Sequence, residues 1–462
     1  MISALLLAAC GGLVKSPSSE SSAERPPPAA HAPAPRWVRA QGTGLVDESG
    51  AAVHLAGVVA SNEIWGRWIW PRSDELAKRG DDPLIRDRVQ PDWVLGEADF
   101  ARLGALPINV ARYEISHELF ADDNPARRDN GAKLKEHVRR FAALGIGVIV
   151  DLNMPIGLDG QSDNVERKKP GSLRERSLFE DDELFAATIR TWTFVAEQLS
   201  SEPTLVAYEI WNEPRAPSDA DGGVARFQSR SEQMARALRA VDPRHLVLVP
   251  EYHSREANPG ESYPAPNGQG SIVDRGEQGI RWDRGLVKVS VENVGYVFHH
   301  YEPWSFTAEG AADFAPTDVA GMVLEHVRWR DEVGRAPLVV TEYGINRRQP
   351  LSKRVAWLTL VHDLLVQHDI GGLYFNYKAA VGPWNQPGDM MALYGQFIAR
   401  NEVGSGGGSS YALRSDAAAA AEQSGFTKLF AQWFENLGPN ETSLLDNESV
   451  VDELRRFAER RR

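Results

Sequence analysis

Two glutamates stand where carboxyl groups can do acid–base and nucleophilic work. Glu213 closes the stretch Leu205 to Arg215 (LVAYEIWNEPR), and Glu342 nearly closes Pro337 to Tyr343 (PLVVTEY). Each follows a run of apolar and aromatic residues with the pattern of a buried or half-buried strand. Pro214 then cannot continue the ladder and turns the first chain out into a loop. A carboxylate at the mouth of a buried strand loses hydration, which disfavours its charged form, so Glu213 is a candidate general acid. The amide of Asn212 beside it is a neutral donor for a substrate hydroxyl. Two carboxyl groups roughly 5 Å apart can cleave a sugar linkage with retention, one protonating the leaving oxygen and the other attacking the anomeric carbon. Such a pair needs opposite proton affinities, so Glu213 is expected protonated and Glu342 ionised. Arg112 and Tyr301 could supply the cation and the hydrogen bond that keep Glu342 charged. No His-x-x-x-His or carboxylate-rich metal loop stands out, and no G-x-S-x-G turn is present. Neither a metal, a cofactor nor a serine nucleophile is therefore expected.

Such a pair requires a scaffold that gathers strand ends. Apolar runs at Val53–Ser61, Pro107–Tyr113, Ile146–Leu152 and Leu205 onward read as four strands. His245–Pro250, Val294–His300, Pro337–Tyr343 and Gly372–Tyr377 read as four more. Between them helical periodicity marks Glu97–Leu103, Lys133–Leu144, Asp182–Leu199, Ala225–Val241, Val319–Val333 and Lys353–Gln367. Thr427–Leu437 and Ser449–Arg461 would complete the outer ring. Eight strands alternating with helices predict an α/β fold, a single (β/α)8 TIM barrel with long βα loops. A doubly wound sheet is the alternative, but no Gly-rich phosphate turn follows the first strand. In a barrel the site lies at the C-terminal strand ends. The polar residues there include Asn62, Glu63, Glu114, Asp151, Asn153, Glu251, Asn376 and Lys378 beside those already named. Strand alternation exposes only one of His299 and His300, and His299 is preferred. Glu209 is a plausible internal partner for Arg112, Asp151 reads as structural, and Glu251 and Glu302 are the rival carboxylates. Trp65, Trp68, Trp70 and Trp304 are either sugar platforms or loop core.

The set resembles glycoside hydrolase family 5, the cellulase-type enzymes. YEIWNEP is similar to the family's acid/base strand, VVTEYG to its nucleophile strand, FHHYEPWSFT to its sixth-strand motif and NVARYEIS to its second strand. That resemblance covers most of Arg36 to Lys378 and implies acid/base Glu213 and nucleophile Glu342. It also implies Asn212 on the sugar 2-hydroxyl, with His299, Tyr301 and Arg112 lining the site. Two departures stand out: Asn153 where the family often has His, and Phe375 where it usually stacks a Trp, a role open to Trp384 instead.

Composition agrees with a soluble globular chain, with 42% hydrophobic and 25% charged residues among 462. A net charge of −13 offers no basic stripe for nucleic acid. Cys10 is the sole cysteine, so no internal disulfide forms. It ends MISALLLAAC, too short to span a bilayer, and LAAC resembles the lipobox of bacterial lipoproteins. The expected organisation is a signal peptide over 1–9, truncated because no Lys or Arg precedes it. A lipidated Cys10 with a disordered Ser/Pro/Ala-rich linker then runs to 35, and a glycosidase domain spans 36–462. Gly11 favours an outer-membrane destination, hence an extracytoplasmic lipoprotein. The sequence thus predicts a retaining, monomeric β-glycosidase, most readily an endo-β-glucanase or β-mannanase acting on β-linked oligo- or polysaccharide. A non-catalytic glycan-binding barrel and an exo-acting enzyme walled by long loops are the alternatives.

Overall fold

Eight apolar runs do extend as strands, and they close on one another. In the computed structural model of the chain, the described residues are 33–60, 95–156, 177–217, 222–254, 284–308, 311–347, 349–381, 391–397, 442–444 and 447–461. The barrel strands are β1 (Ala56–Val59), β2 (Val110–Ser116), β3 (Gly147–Met154) and β4 (Leu205–Glu209). They continue as β5 (Leu246–Pro250), β6 (Val294–His300), β7 (Leu338–Tyr343) and β8 (Gly371–Tyr374). Every neighbouring pair is parallel, and β8 pairs with β1 to close the ring. β1 and β2 approach closely because Gly57 has no side chain: a Cβ there would lie 2.1 Å from the Val110 carbonyl oxygen.

The helices α1 (Glu97–Ala105), α2 (Arg127–Ala143), α3 (Asp182–Leu199) and α4 (Gly223–Val241) flank the first half. α5 (Pro316–Trp329), α6 (Leu351–Gln367) and α7 (Glu448–Arg460) flank the second. α3 begins where the sequence places it because Asp181 caps it, accepting from the amides of Glu183 and Leu184 at 3.0 and 3.1 Å. Its inner face buries Leu184, Phe185, Trp192, Val195 and Leu199, and the Trp192 indole donates to the Ile210 carbonyl at 2.8 Å. The helix expected over Val319–Val333 is instead α5 followed by a π-helical turn, Arg330–Gly334. α2 starts at Arg127, six residues ahead of its apolar period, through a polar first turn. The helix expected at Thr427–Leu437 lies outside the described residues.

Inside the ring the side chains form layers. Val38, just before the hairpin Arg39–Gln41/Gly44–Val46, and Leu45 within it join inward residues such as Val110, Ile149, Leu246, Val297 and Leu373 in one apolar cluster. That hairpin closes the N-terminal floor. Ala34 is already buried, and Trp37 stacks on His245 with ring centroids 4.8 Å apart.

Two residues further along each strand the interior turns polar: Val110 gives way to Arg112 and Glu114, Ile149 to Asp151 and Asn153, Val297 to His299. β7 needs an extra device, because alternation from Val339 and Thr341 would send Glu342 outward. The register with β6 skips Thr341, pairing Phe298 with Val340 and His299 with Glu342. This bulge resets the phase so that both Thr341 and Glu342 enter the barrel. Tyr343 then points to α6, its hydroxyl 3.0 Å from His362 Nε2.

Candidate active site

Arg112 organises the mouth of the barrel. Its five N–H groups meet five acceptors. Nε and Nη2 grip Glu209 in two bonds of 2.8 and 2.9 Å, the partner anticipated from sequence, and Nη2 also donates to Asn212 Oδ1 at 2.8 Å. Nη1 donates to Glu342 Oε1 at 2.7 Å and to Glu114 Oε1 at 3.0 Å. Burial alone would weaken the guanidinium, but the surrounding carboxyl groups hold it firmly protonated. Asp151 is the carboxyl left over. Its Oδ2 lies 2.9 Å from Nη2, yet neither oxygen accepts a hydrogen bond among the described residues. Burial, reinforced by Glu209, Glu114 and Glu342, pushes Asp151 well above the usual carboxyl range despite Arg112.

Glu342 receives a second bond, from the Tyr301 hydroxyl to Oε2 at 2.6 Å. Burial and the Glu342 charge raise Tyr301 well above an ordinary phenol, so it stays a donor. Across the mouth, Glu213 sits in the turn after β4 with a left-handed backbone, φ 36°, a conformation costing roughly 1–3 kcal/mol for a residue with a side chain. Its Oε1 is 2.6 Å from His299 Nδ1. Its Oε2 is buried with no partner among the described residues. One ring nitrogen of His299 and one oxygen from each of Glu213 and Glu342 all lie within 4.8 Å of one another. That trio is a conceivable donor set for a divalent ion. The 2.6 Å contact argues otherwise, being shorter than the about 3 Å edge that a tetrahedral site with bonds of about 2 Å needs.

One expectation is overturned. Burial alone predicts a protonated Glu213. Burial does push it up, but the His299 charge and hydrogen bond, helped by His253 and Arg215, outweigh that and hold it at about 2. His299 is pushed down by burial and more strongly up by Glu342 and Glu213, so its proton affinity is raised. The acid proton at rest therefore lies on the imidazole side of a shared pair.

Several other expected residues assemble here. Asn153 donates to Glu114 Oε1 at 2.8 Å, placing the family departure on the third carboxylate of the mouth. Trp304 and Phe375 both stand edge-on to Tyr301, at 5.8 and 6.4 Å between centroids. The peptide from Phe375 to Asn376 is cis. His300 faces outward and stacks on Trp357, as alternation requires. Glu251 and Glu302 belong to another cluster, both bound by Arg284. Lys378 and Tyr377 are bound to Asp99 at the start of α1. Trp65, Trp68, Trp70, Trp384, Asn62, Glu63 and Cys10 lie outside the described residues. The sequence reading missed the roles of Thr341, which donates to Glu209 Oε1 at 3.1 Å, and of His253 and Arg284. Glu114 carried a signal, since two residues after Arg112 it must share that strand face.

Comparison with known proteins bears on the family and the fold. The family model described as Cellulase (glycosyl hydrolase family 5) matches residues 96–380. Mannan endo-1,4-beta-mannosidase 4 of Oryza sativa subsp. japonica is 26% identical over 358 residues, 71% of this chain and 68% of its own length. Endoglucanase G of Acetivibrio thermocellus is 20% identical over 383 residues, 72% of this chain and 64% of its own. Among solved structures, endo-glycoceramidase II from Rhodococcus sp., as a lactosyl-enzyme intermediate, superposes with a TM-score of 0.51. It is 15% identical and covers 72% of this chain and 75% of its own, which speaks to the fold alone. A closed eight-stranded parallel barrel with both glutamates at its mouth, together with a family match over most of its length, places the chain: it belongs to glycosyl hydrolase family 5, the cellulase family of glycoside hydrolases.

Proposed function

We propose that the chain is an endo-acting, retaining β-glycosidase that hydrolyses a β-linked glucan or mannan through Glu342 as nucleophile and Glu213 as acid/base. The observation that carries this reading is the spacing of the two carboxylates, with oxygens within 4.8 Å across one mouth. Retaining enzymes hold their carboxyl groups about 5–5.5 Å apart, whereas inverting enzymes leave about 6.5–9.5 Å for a water.

In the first step Glu342 attacks the anomeric carbon while the glycosidic oxygen takes the proton shared by His299 and Glu213. Arg112 and Tyr301 each donate to one Glu342 oxygen and hold the carboxyl group in line for attack. The leaving chain departs and a glycosyl ester on Glu342 remains. In the second step Glu213 takes a proton from water, whose oxygen displaces Glu342 and returns it to the carboxylate. Asn212 has its carbonyl occupied by Arg112, which leaves its NH2 as donor to the sugar 2-hydroxyl. Trp304 and Phe375 offer ring surface beside Tyr301 for a sugar face. The mannosidase and endoglucanase relatives support the glucan-or-mannan range.

The test is a screen of the protein against β-glucans, mannans and xylans, with Glu213→Gln and Glu342→Gln beside the parent. Turnover on one polymer class, lost in both variants, is expected. Binding without any parental turnover would favour a glycan-binding barrel, and turnover surviving both substitutions would remove the mechanism. The N-terminal reading stands as a second proposal, that Cys10 is acylated and tethers an extracytoplasmic lipoprotein. Its support is the LAAC sequence, and Cys10→Ala should release the protein from the membrane fraction.

A further inference from the structure

The strands β5 and β6 part company just below the catalytic pair. The Glu251 N–H still bonds across, donating to the Val297 carbonyl at 3.0 Å. The N–H two residues on, of His253, donates instead to the Pro214 carbonyl at 3.2 Å, because the chain has turned into a small separate sheet. In that sheet Tyr252–Ser254 pairs in parallel with Arg215–Ala216, directly after Pro214, and antiparallel with Arg284–Gly285. The next β6 carbonyl on the edge facing β5 is that of His299. A buried carbonyl needs a donor, and the buried side chain of Arg284 supplies it: Nη2 donates to the His299 carbonyl oxygen at 2.8 Å. The same guanidinium binds Glu251 through two bonds of 2.8 and 2.7 Å and reaches Glu302 Oε1 at 3.1 Å. Glu251 is fixed from its other side by His253, whose Nε2 lies 3.2 Å from Oε1. Glu302 passes the hold on, since its Oε2 accepts the backbone N–H of Tyr301 at 3.0 Å.

We propose that Arg284 is a positioning residue for both halves of the catalytic pair: it takes over the ladder where β5 leaves β6 and so sets where His299 and Tyr301 stand. This rests on the roles proposed for Glu213 and Glu342. One guanidinium holds the backbone on either side of His300, directly at His299 and through Glu302 at Tyr301. Those two residues make the 2.6 Å contacts with Glu213 Oε1 and with Glu342 Oε2. Contacts that short have no slack, so a shift of the β6 exit loosens both at once. A misplacement of about 1 Å can cost on the order of 10²-fold in rate. Arg284 touches neither carboxyl of the catalytic pair through any printed bond of its own side chain and works on them only through the backbone it holds. Its loss should therefore appear in kcat and not in KM.

The experiment is a double-mutant cycle read by steady-state kinetics on the polymer the protein cleaves, well below each variant's melting temperature. Deleting Arg284 outright would strand two buried carboxylates, so the variants are conservative. Arg284→Lys keeps the charge but not the fork that spans Glu251, Glu302 and the His299 carbonyl. Glu302→Gln leaves one acceptor oxygen where Arg284 and Tyr301 need two. Arg284→Lys should lower kcat about ten-fold, a fraction of what a 1 Å misplacement costs, with KM close to parental; Glu302→Gln should do the same to a smaller extent. In a Tyr301→Phe background the hydroxyl to be positioned is gone. There Glu302→Gln should cost little more, and Arg284→Lys only the share it exerts through His299. Losses that multiply unchanged in that background, or kcat per folded molecule equal to the parent's, would make Arg284 merely structural and overturn the proposal. Glu342→Gln separates the two readings. Turnover surviving it removes the nucleophile assignment first; turnover abolished by it, with Arg284→Lys at parental kcat, removes this inference alone.

Discussion

Asp151→Asn should be nearly silent at low pH and should stabilise the protein at neutral pH, although it alters a fully buried residue that touches the central guanidinium. Arg112 has five donors, and all five are committed to Glu209, Asn212, Glu114 and Glu342. Asp151 receives none, and both its oxygens lack hydrogen bonds among the described residues. Its proton affinity is raised well above that of an ordinary aspartate, by burial and by neighbouring carboxylates. The folded state thus binds a proton that the unfolded chain releases near pH 3.8. Its contribution is fully present below that value and is lost as pH rises towards the folded pKa, with a slope of about 1.4 kcal/mol per pH unit. Asparagine copies the shape of the neutral acid and has no proton to lose, so this descending slope should vanish. Urea unfolding of parent and variant at several pH values between 4 and 7, with the linear-extrapolation free energy as readout, measures the difference in slope directly. A variant that is several kcal/mol less stable at pH 7, with the parental slope unchanged, would mean that Asp151 is a charged ion-pair partner and that the donor count above is wrong.

Tyr301→Phe removes one of two bonds on Glu342 and should lower kcat more than it raises KM, by roughly ten-fold, read by steady-state kinetics on a soluble polymer. His299→Gln breaks the proton-sharing pair. Glu213, held at about 2, contributes stability that is present above its ordinary value and lost as pH falls towards 2. His299, raised, contributes stability present below about 6.5 and lost as pH rises through its folded value. The parent's thermal stability should therefore be best between those limits, and the His299→Gln profile should flatten there. Gly57→Ala should cost at least about 2 kcal/mol in chemical denaturation, because its Cβ would strike the backbone of β2 and not a movable side chain.

The eight strands were legible because parallel barrel strands are short, apolar and separated by helices with clear amphipathic periods. Val294–His300 and Asp182–Leu199 fall where the sequence puts them. The glutamate pair was legible too, since Glu213 lies just beyond such a strand and Glu342 near the end of another. What the sequence hides is phase and sharing. Strict alternation cannot reveal that β7 skips Thr341 to turn Glu342 inward. Burial of Glu213 was readable, but the nearness of His299, 86 residues away, was not, and it reverses the sign of the expected shift. The small sheet joining Arg215, His253 and Arg284 unites segments of two or three residues, too short for any periodic signal.

The most direct trial of the double-displacement account is the anomeric form of the first product, followed by proton NMR within minutes of adding enzyme to the polymer it cleaves. Two carboxylates this close leave no room for water to attack from the opposite face, so the β anomer should appear first and mutarotate afterwards. Initial release of the α anomer would contradict Glu342 as the nucleophile.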